Sequence, residues 1–112
     1  MDLAGLVDTG ADVSMIEHGR LNAFVRDQMP LLAFIQVHAP GLGGLAIRPQ
    51  FLTGIGVCHL SGNPGHDLAV PNTELVEQSL GSSGFQVLIG RDILSQIELH
   101  YDGPANRFTL TY

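Results

Sequence analysis

The segment Asp8-Thr9-Gly10-Ala11-Asp12 is the part of this chain best equipped for chemistry. It lies between two short apolar runs, residues 3–7 and 13–16. A carboxylate at a strand end is held by a stiff element, and a glycine beside it lets backbone or a bound molecule come close. Three chemistries use such a loop. The first is phosphate binding, in which an Asp-x-Gly turn is followed by Ser or Thr. Asp8, Gly10 and Ser14 imitate it, but the folds that use it need a second phosphate loop and far more than 112 residues. The second is an aspartate that accepts a phosphoryl group. That chemistry wants another Asp two residues on, where this chain has Gly10. The third is a carboxylate that activates water against a peptide bond. Taken alone, Asp8 also reads as a turn residue that caps a strand end.

Other reactive side chains form no comparable pattern. Cys58, His59, His66 and Asp67 are zinc-ligand types, yet their spacing fits no established zinc pattern, and the turn at residues 61–65 divides them. No metal site and no cofactor are expected. A single cysteine excludes an internal disulfide, and Cys58 is expected to be a small buried hydrophobe. His18, His38 and His100 are scattered and read as surface or edge residues.

The elements that must position the loop follow from composition and periodicity. Apolar residues make up 45% of the chain and charged residues 14%, a balance that folds instead of staying disordered. The 14 glycines and six prolines are spread along the chain, as in many short strands joined by turns. The expectation is one all-β domain over residues 1–112. Five arginines, no lysine and a net charge of −6 argue against a nucleic-acid surface. No apolar run reaches the roughly 18 residues of a membrane span, and the first residues lack the basic start of a signal peptide. The default compartment is cytoplasmic.

Residues 17–28 carry Leu21, Phe24 and Val25 at helical spacing. Residues 31–38 read as a strand, Pro40-Gly41-Leu42-Gly43-Gly44 breaks it, and residues 45–57 resume extended character, giving a hairpin with a glycine-rich tip. Residues 68–70 form a further strand, and residues 73–80 are expected to make one or two helical turns, stopped by Gly81. The apolar run at residues 85–89 fits a strand buried on both faces. Residues 91–97 have helical spacing. A last hairpin joins residues 97–101 to 107–112 through Asp102-Gly103-Pro104-Ala105-Asn106. Phe108, Leu110 and Tyr112 alternate with threonines, which predicts one buried face.

Leu6-Val7-Asp8-Thr9-Gly10-Ala11-Asp12 resembles the active-site loop of the retropepsins, the retroviral-type aspartic proteases. Their second hallmark, two apolar residues followed by Ile-Gly-Arg-Asp and a short helix, is matched by Val87-Leu88-Ile89-Gly90-Arg91-Asp92. The two motifs stand in the family's order, about eighty residues apart, with the glycine-rich tip between them where the family carries its flap. The final hairpin resembles that of bacterial retropepsin-like proteins.

The resemblance implies an all-β acid-protease half-barrel with a flap hairpin and one or two short helices. It also implies that the N-terminal strand is truncated, since only seven residues precede Asp8. Asp8 would be the catalytic carboxylate, Thr9 a bond across the subunit interface, and Gly10 a backbone contact for substrate. Ala11 and Asp12 would line the substrate path, with Asp12 also in a partly buried ion pair with Arg91. Gly41, Leu42, Gly43 and Gly44 would form the flap tip over the peptide. Asp92 suits a helix N-terminus, where the helix dipole favours a negative charge.

Peptide hydrolysis by this route uses two carboxylates that share a proton around one water. This chain has one Asp-Thr-Gly, so the second carboxylate must come from another copy. A two-fold homodimer acting on a peptide or protein substrate is therefore expected, with the C-terminal hairpin a candidate for the shared sheet. The alternatives are a catalytically silent dimerisation or peptide-binding module of the same fold, and a fragment of a larger protease precursor.

Overall fold

The apolar runs between loops become eight strands in the computed structural model, which describes residues 3–21, 27–39, 44–81 and 84–112. In chain order they are β1 (Gly5–Val7), β2 (Met15–Glu17), β3 (Leu31–Ala39), β4 (Gly44–Val57), β5 (Leu68–Gln78), β6 (Val87–Ile89), β7 (Glu98–Asp102) and β8 (Arg107–Thr111). A 3₁₀ turn covers Pro64–His66, and a short helix, α1, covers Arg91–Leu94. The described residues are thus mostly β, and the all-β expectation holds at that level.

Six strands form one sheet in the order β1-β6-β2-β5-β4-β3, while β7 and β8 pair separately. The order places β6, from far along the chain, between β1 and β2. It runs parallel to β1, with Leu6 opposite Leu88, and antiparallel to β2, with Met15 opposite Leu88. The loop joining β1 to β2 must therefore cross the C-terminal end of β6. That crossing is what sets Asp8 beside Gly90.

Packing follows from which side chains point inward. Met15, Val37, Val76, Leu80 and Leu88 form one buried cluster, and Val70, Ile89, Ile93 and Leu94 another that fixes α1 to the sheet. The hairpin of β3 and β4 closes at Ala39 opposite Gly44. The expected tip residues Gly41, Leu42 and Gly43 lie outside the described residues, and Gly44 opens β4. One face of this hairpin turns Val37 into the core, while Phe34, Leu45 and Ile47 on the other face remain 63–67% exposed.

Several expectations need correction. Residues 73–78 are not helical but form the end of β5. Leu75, Val76, Glu77 and Gln78 are all buried, and this stretch pairs with β4 on one side and β2 on the other. A helix there would forfeit both ladders. Glu17 belongs to β2, opposite Gln78, so no helix begins there. Asp27 and Gln28 are helical, and residues 22–26 of that expected helix lie outside the described residues. The final hairpin forms where expected, although Asp102, expected in the turn, pairs with Arg107 at the end of the ladder, and Asn106 has φ 50° in the turn. Its predicted buried face is open instead, since among the described residues β7 and β8 form a sheet of their own outside the six-stranded one; Phe108 is 53% and Tyr112 50% exposed. Cys58 is exposed too, one residue beyond the last β4–β5 pair at Val57 and Leu68. Among the described residues, no helix is long and apolar enough to cross a membrane.

Leu80 is fully buried against Val76 and Met15. Leu80→Ala is expected to lower unfolding stability by about 2–5 kcal/mol, the usual range for a leucine cavity. Urea denaturation measures it, and a loss well below that range would mean the cluster is loosely packed.

Candidate active-site loop

Asp8 stands at the end of β1, where its N–H continues the parallel ladder by donating to the Ile89 carbonyl at 3.0 Å. Its side chain is held from the other direction. The Gly10 N–H donates to Asp8 Oδ1 at 2.9 Å. A Cβ at position 10 would sit 3.2 Å from that same oxygen, so glycine is what lets the backbone come this near. The Ala11 N–H closes the turn on the Asp8 carbonyl at 3.3 Å. Asp8 is half-buried, while Thr9 and Gly10 are exposed. Among the described residues the Thr9 hydroxyl has no hydrogen-bond partner.

Below this loop lies the second motif. Gly90 passes directly under the first: a Cβ there would come within 2.7 Å of the Val13 backbone and 3.1 Å of the Ala11 carbonyl. Only glycine fits such a crossing. The Arg91 N–H donates to the Ala11 carbonyl at 2.8 Å, a backbone clasp between the two motifs.

Ser14 and Asp92 complete the clasp. Ser14 is fully buried. Its Oγ donates to Asp92 Oδ1 at 2.6 Å and accepts from the Gly90 N–H at 3.0 Å, while its own N–H donates to Asp92 Oδ2 at 2.9 Å. Asp92 Oδ1 also accepts the Ile93 N–H at 2.9 Å in the first turn of α1. The expected role of Asp92 at a helix start is therefore joined by a larger one, as the carboxylate that ties both loops together. Charge-assisted bonds of this kind are stronger than neutral ones, and burial strengthens them further. The role of Ser14 was not anticipated. The available signal was a hydroxyl inside the apolar run at residues 13–16, since a polar group buried there must find partners.

Asp12 and Arg91 do form an ion pair, as expected, but it is not partly buried. The Arg91 side chain is 56% exposed and that of Asp12 82%. Exposed pairs contribute about 0–1 kcal/mol, so the join between the motifs rests on backbone, Ser14 and Asp92.

The cysteine and histidine group on the far loop is organised without metal-ligand geometry. His59 Nδ1 lies 2.8 Å from Ser61 Oγ, and the rings of His59 and His66 stand edge to face at 5.3 Å. Asp67 Oδ1 accepts the His59 N–H at 2.7 Å. Among the described residues, no group of three or more His, Cys, Asp or Glu could hold a metal ion.

Arg91→Ala is expected to change stability by less than about 1 kcal/mol. Ser14→Ala should cost about 1–3 kcal/mol by stranding the Gly90 N–H and an Asp92 oxygen. A thermal or urea comparison of the two checks the ranking, and an Arg91→Ala loss larger than that of Ser14→Ala would reverse it. Compared with family models, curated proteins and solved structures, the chain has no significant match.

Proposed function

We propose that this chain is one half of a retropepsin-like aspartic endopeptidase, with a half-barrel body and a flap hairpin built from β3 and β4. The observation that carries the reading is the Asp8 carboxylate, oriented by the Gly10 N–H on a loop clasped from beneath by Gly90, Ser14 and Asp92. A carboxylate that serves only as a surface cap does not need so much support.

In the proposed dimer, the two Asp8 side chains meet at the two-fold axis and hold one water between them. Like charges about 3 Å apart do not both ionise easily, so the pair keeps one proton; aspartic proteases are the standard illustration of this effect. The ionised carboxylate takes a proton from the water as its oxygen bonds to the scissile carbonyl carbon. The protonated carboxylate gives its proton to the carbonyl oxygen. Collapse of the tetrahedral species returns a proton to the amide nitrogen, and the C–N bond breaks. The pair titrates as a unit, and no single proton affinity belongs to either member.

Each neighbouring residue has a task in this reading. Thr9, exposed and without a side-chain hydrogen-bond partner among the described residues, bonds across the axis. Gly10, Ala11 and Asp12 face the substrate backbone. The flap tip over Gly41, Leu42, Gly43 and Gly44 closes on the peptide and excludes water. No cofactor is required.

The test is Asp8→Asn compared with the unaltered chain on a mixed peptide library, with cleavage read by mass spectrometry. Hydrolysis should fall at least about a thousandfold, within the range of general acid–base catalysis, while circular dichroism stays unchanged. Specific activity should also fall on dilution as the dimer separates. Undiminished cleavage by Asp8→Asn would refute the assignment.

A further inference from the structure

The peptide group that joins Ile89 to Gly90 is bonded at both ends. Its carbonyl accepts the Asp8 N–H at 3.0 Å. Its N–H donates to Ser14 Oγ at 3.0 Å. The Ser14 hydroxyl in turn donates to Asp92 Oδ1 at 2.6 Å. These bonds form one file in which every donor points the same way. It runs from the Asp8 main chain, through the 89–90 peptide and the Ser14 hydroxyl, to a carboxylate. Bonds aligned in this sense polarise and strengthen one another. An ionised acceptor at the end shortens and strengthens the last of them.

The Ser14 hydroxyl is the link that must both accept and donate. Alanine does neither. Ser14 and Gly90 are both buried, so solvent does not stand in for the missing group. The far end of the file is anchored to backbone, because the Asp92 carboxylate also accepts the Ser14 N–H and the Ile93 N–H, each at 2.9 Å. The near end sets where the Asp8 main chain lies, and the 2.9 Å bond from the Gly10 N–H to Asp8 Oδ1 depends on that position. The bond from the Arg91 N–H to the Ala11 carbonyl braces the other side of the same loop. Loss of the file therefore shifts Asp8 without releasing the whole loop.

We infer that Ser14, held by Asp92, is a positioning residue for the Asp8 carboxylate, acting through the 89–90 peptide. This rests on the endopeptidase reading and adds a role to it. Ser14 is fully buried, so it touches no substrate. Its effect is on where the two Asp8 side chains of the dimer stand around their water. A shift of Asp8 away from the two-fold axis occurs in both copies and is doubled in the separation of the pair. A misplacement of about 1 Å in a reacting group costs on the order of a hundredfold in rate. Peptide binding is left to the exposed side of the loop and to the flap, so the loss falls on turnover and not on affinity.

The experiment compares Ser14→Ala, Ser14→Thr and Leu80→Ala with the unaltered chain, by peptide cleavage kinetics and by NMR of the backbone amides. In Ser14→Ala, kcat should fall about tenfold to a hundredfold while KM stays within about twofold. Its Asp8 and Gly90 amide protons should move to lower frequency, and they should exchange with solvent at least about tenfold faster relative to the amides of β7 and β8. Ser14→Thr keeps the hydroxyl and should recover most of kcat; Ser14→Ala carries the test if the added methyl does not fit. Leu80→Ala has the larger expected stability loss but leaves the file intact, so its kcat should be nearly unchanged. The proposal is overturned if the Asp8 and Gly90 signals of Ser14→Ala stay in place, if its kcat is retained, or if Leu80→Ala lowers kcat as much. Asp8→Asn separates this failure from that of the endopeptidase reading. Where the unaltered chain cleaves peptide and Asp8→Asn does not, a retained kcat in Ser14→Ala counts against the positioning role alone. Where the unaltered chain cleaves nothing, the endopeptidase reading fails and takes that role with it.

Discussion

The insertion of β6 between β1 and β2 is the constraint on which the rest of the structure depends. Two strands adjacent in sequence are kept apart by one that arrives some seventy residues later, so their connecting loop has to bridge its end. A bridge over a strand end brings two backbones into contact, with no room for a side chain between them. Gly90 is the residue at that point, and a single methyl group there would collide with Val13. From this crossing follow the position of Asp8, the start of α1 and the burial of Ser14.

The two motifs are joined by bonds of very different value. The Asp12–Arg91 pair is conspicuous in sequence because opposite charges attract notice, yet both partners stand largely in water. The Ser14–Asp92 pair is inconspicuous, and it joins a fully buried hydroxyl to a half-buried carboxylate. A carboxylate that accepts from Ser14 N–H, Ser14 Oγ and Ile93 N–H has its charge spread over donors fixed by backbone. Breaking one of those bonds leaves a buried polar atom unsatisfied, whereas breaking the surface pair leaves two ions that water solvates. The exposed ion pair is therefore free to face a bound molecule without loosening the loop.

The strands were legible where one physical signal dominated. Residues 31–38 and 45–57 flank a glycine-rich break, and residues 107–112 alternate apolar with threonine; all are strands in the expected places. The reading failed at residues 73–78, where local spacing allowed a helix but partners on both sides imposed β structure. It failed again for the buried face of β8, where alternation records a preference for cover and says nothing of what provides it. Cys58 failed for a related reason: a residue type that favours burial sits just beyond the end of its ladder. At the candidate site, Asp8, Gly10 and Gly90 were legible as a local pattern. Ser14 was not, because its significance lies in a partner 78 residues away.

Rigidity and openness are distributed unevenly, and that distribution is itself informative. The underside of the Asp8 loop is closed by glycine contact and buried hydrogen bonds, so it has little freedom to rearrange. Its upper side, with Thr9, Gly10 and Asp12 exposed, has unused hydrogen-bonding capacity. The flank of the sheet shows the same asymmetry on a larger scale, with well-packed clusters on either side of β5 and, among the described residues, edges at β1 and at residues 53–57 of β4 that no strand pairs. A chain that evolved to be covered nowhere would blunt such edges with charge or proline. Here β1 is Gly-Leu-Val, and residues 53–57 are Thr-Gly-Ile-Gly-Val, with no charge in either. Both stretches therefore keep the main-chain pairing capacity that charge or proline would remove.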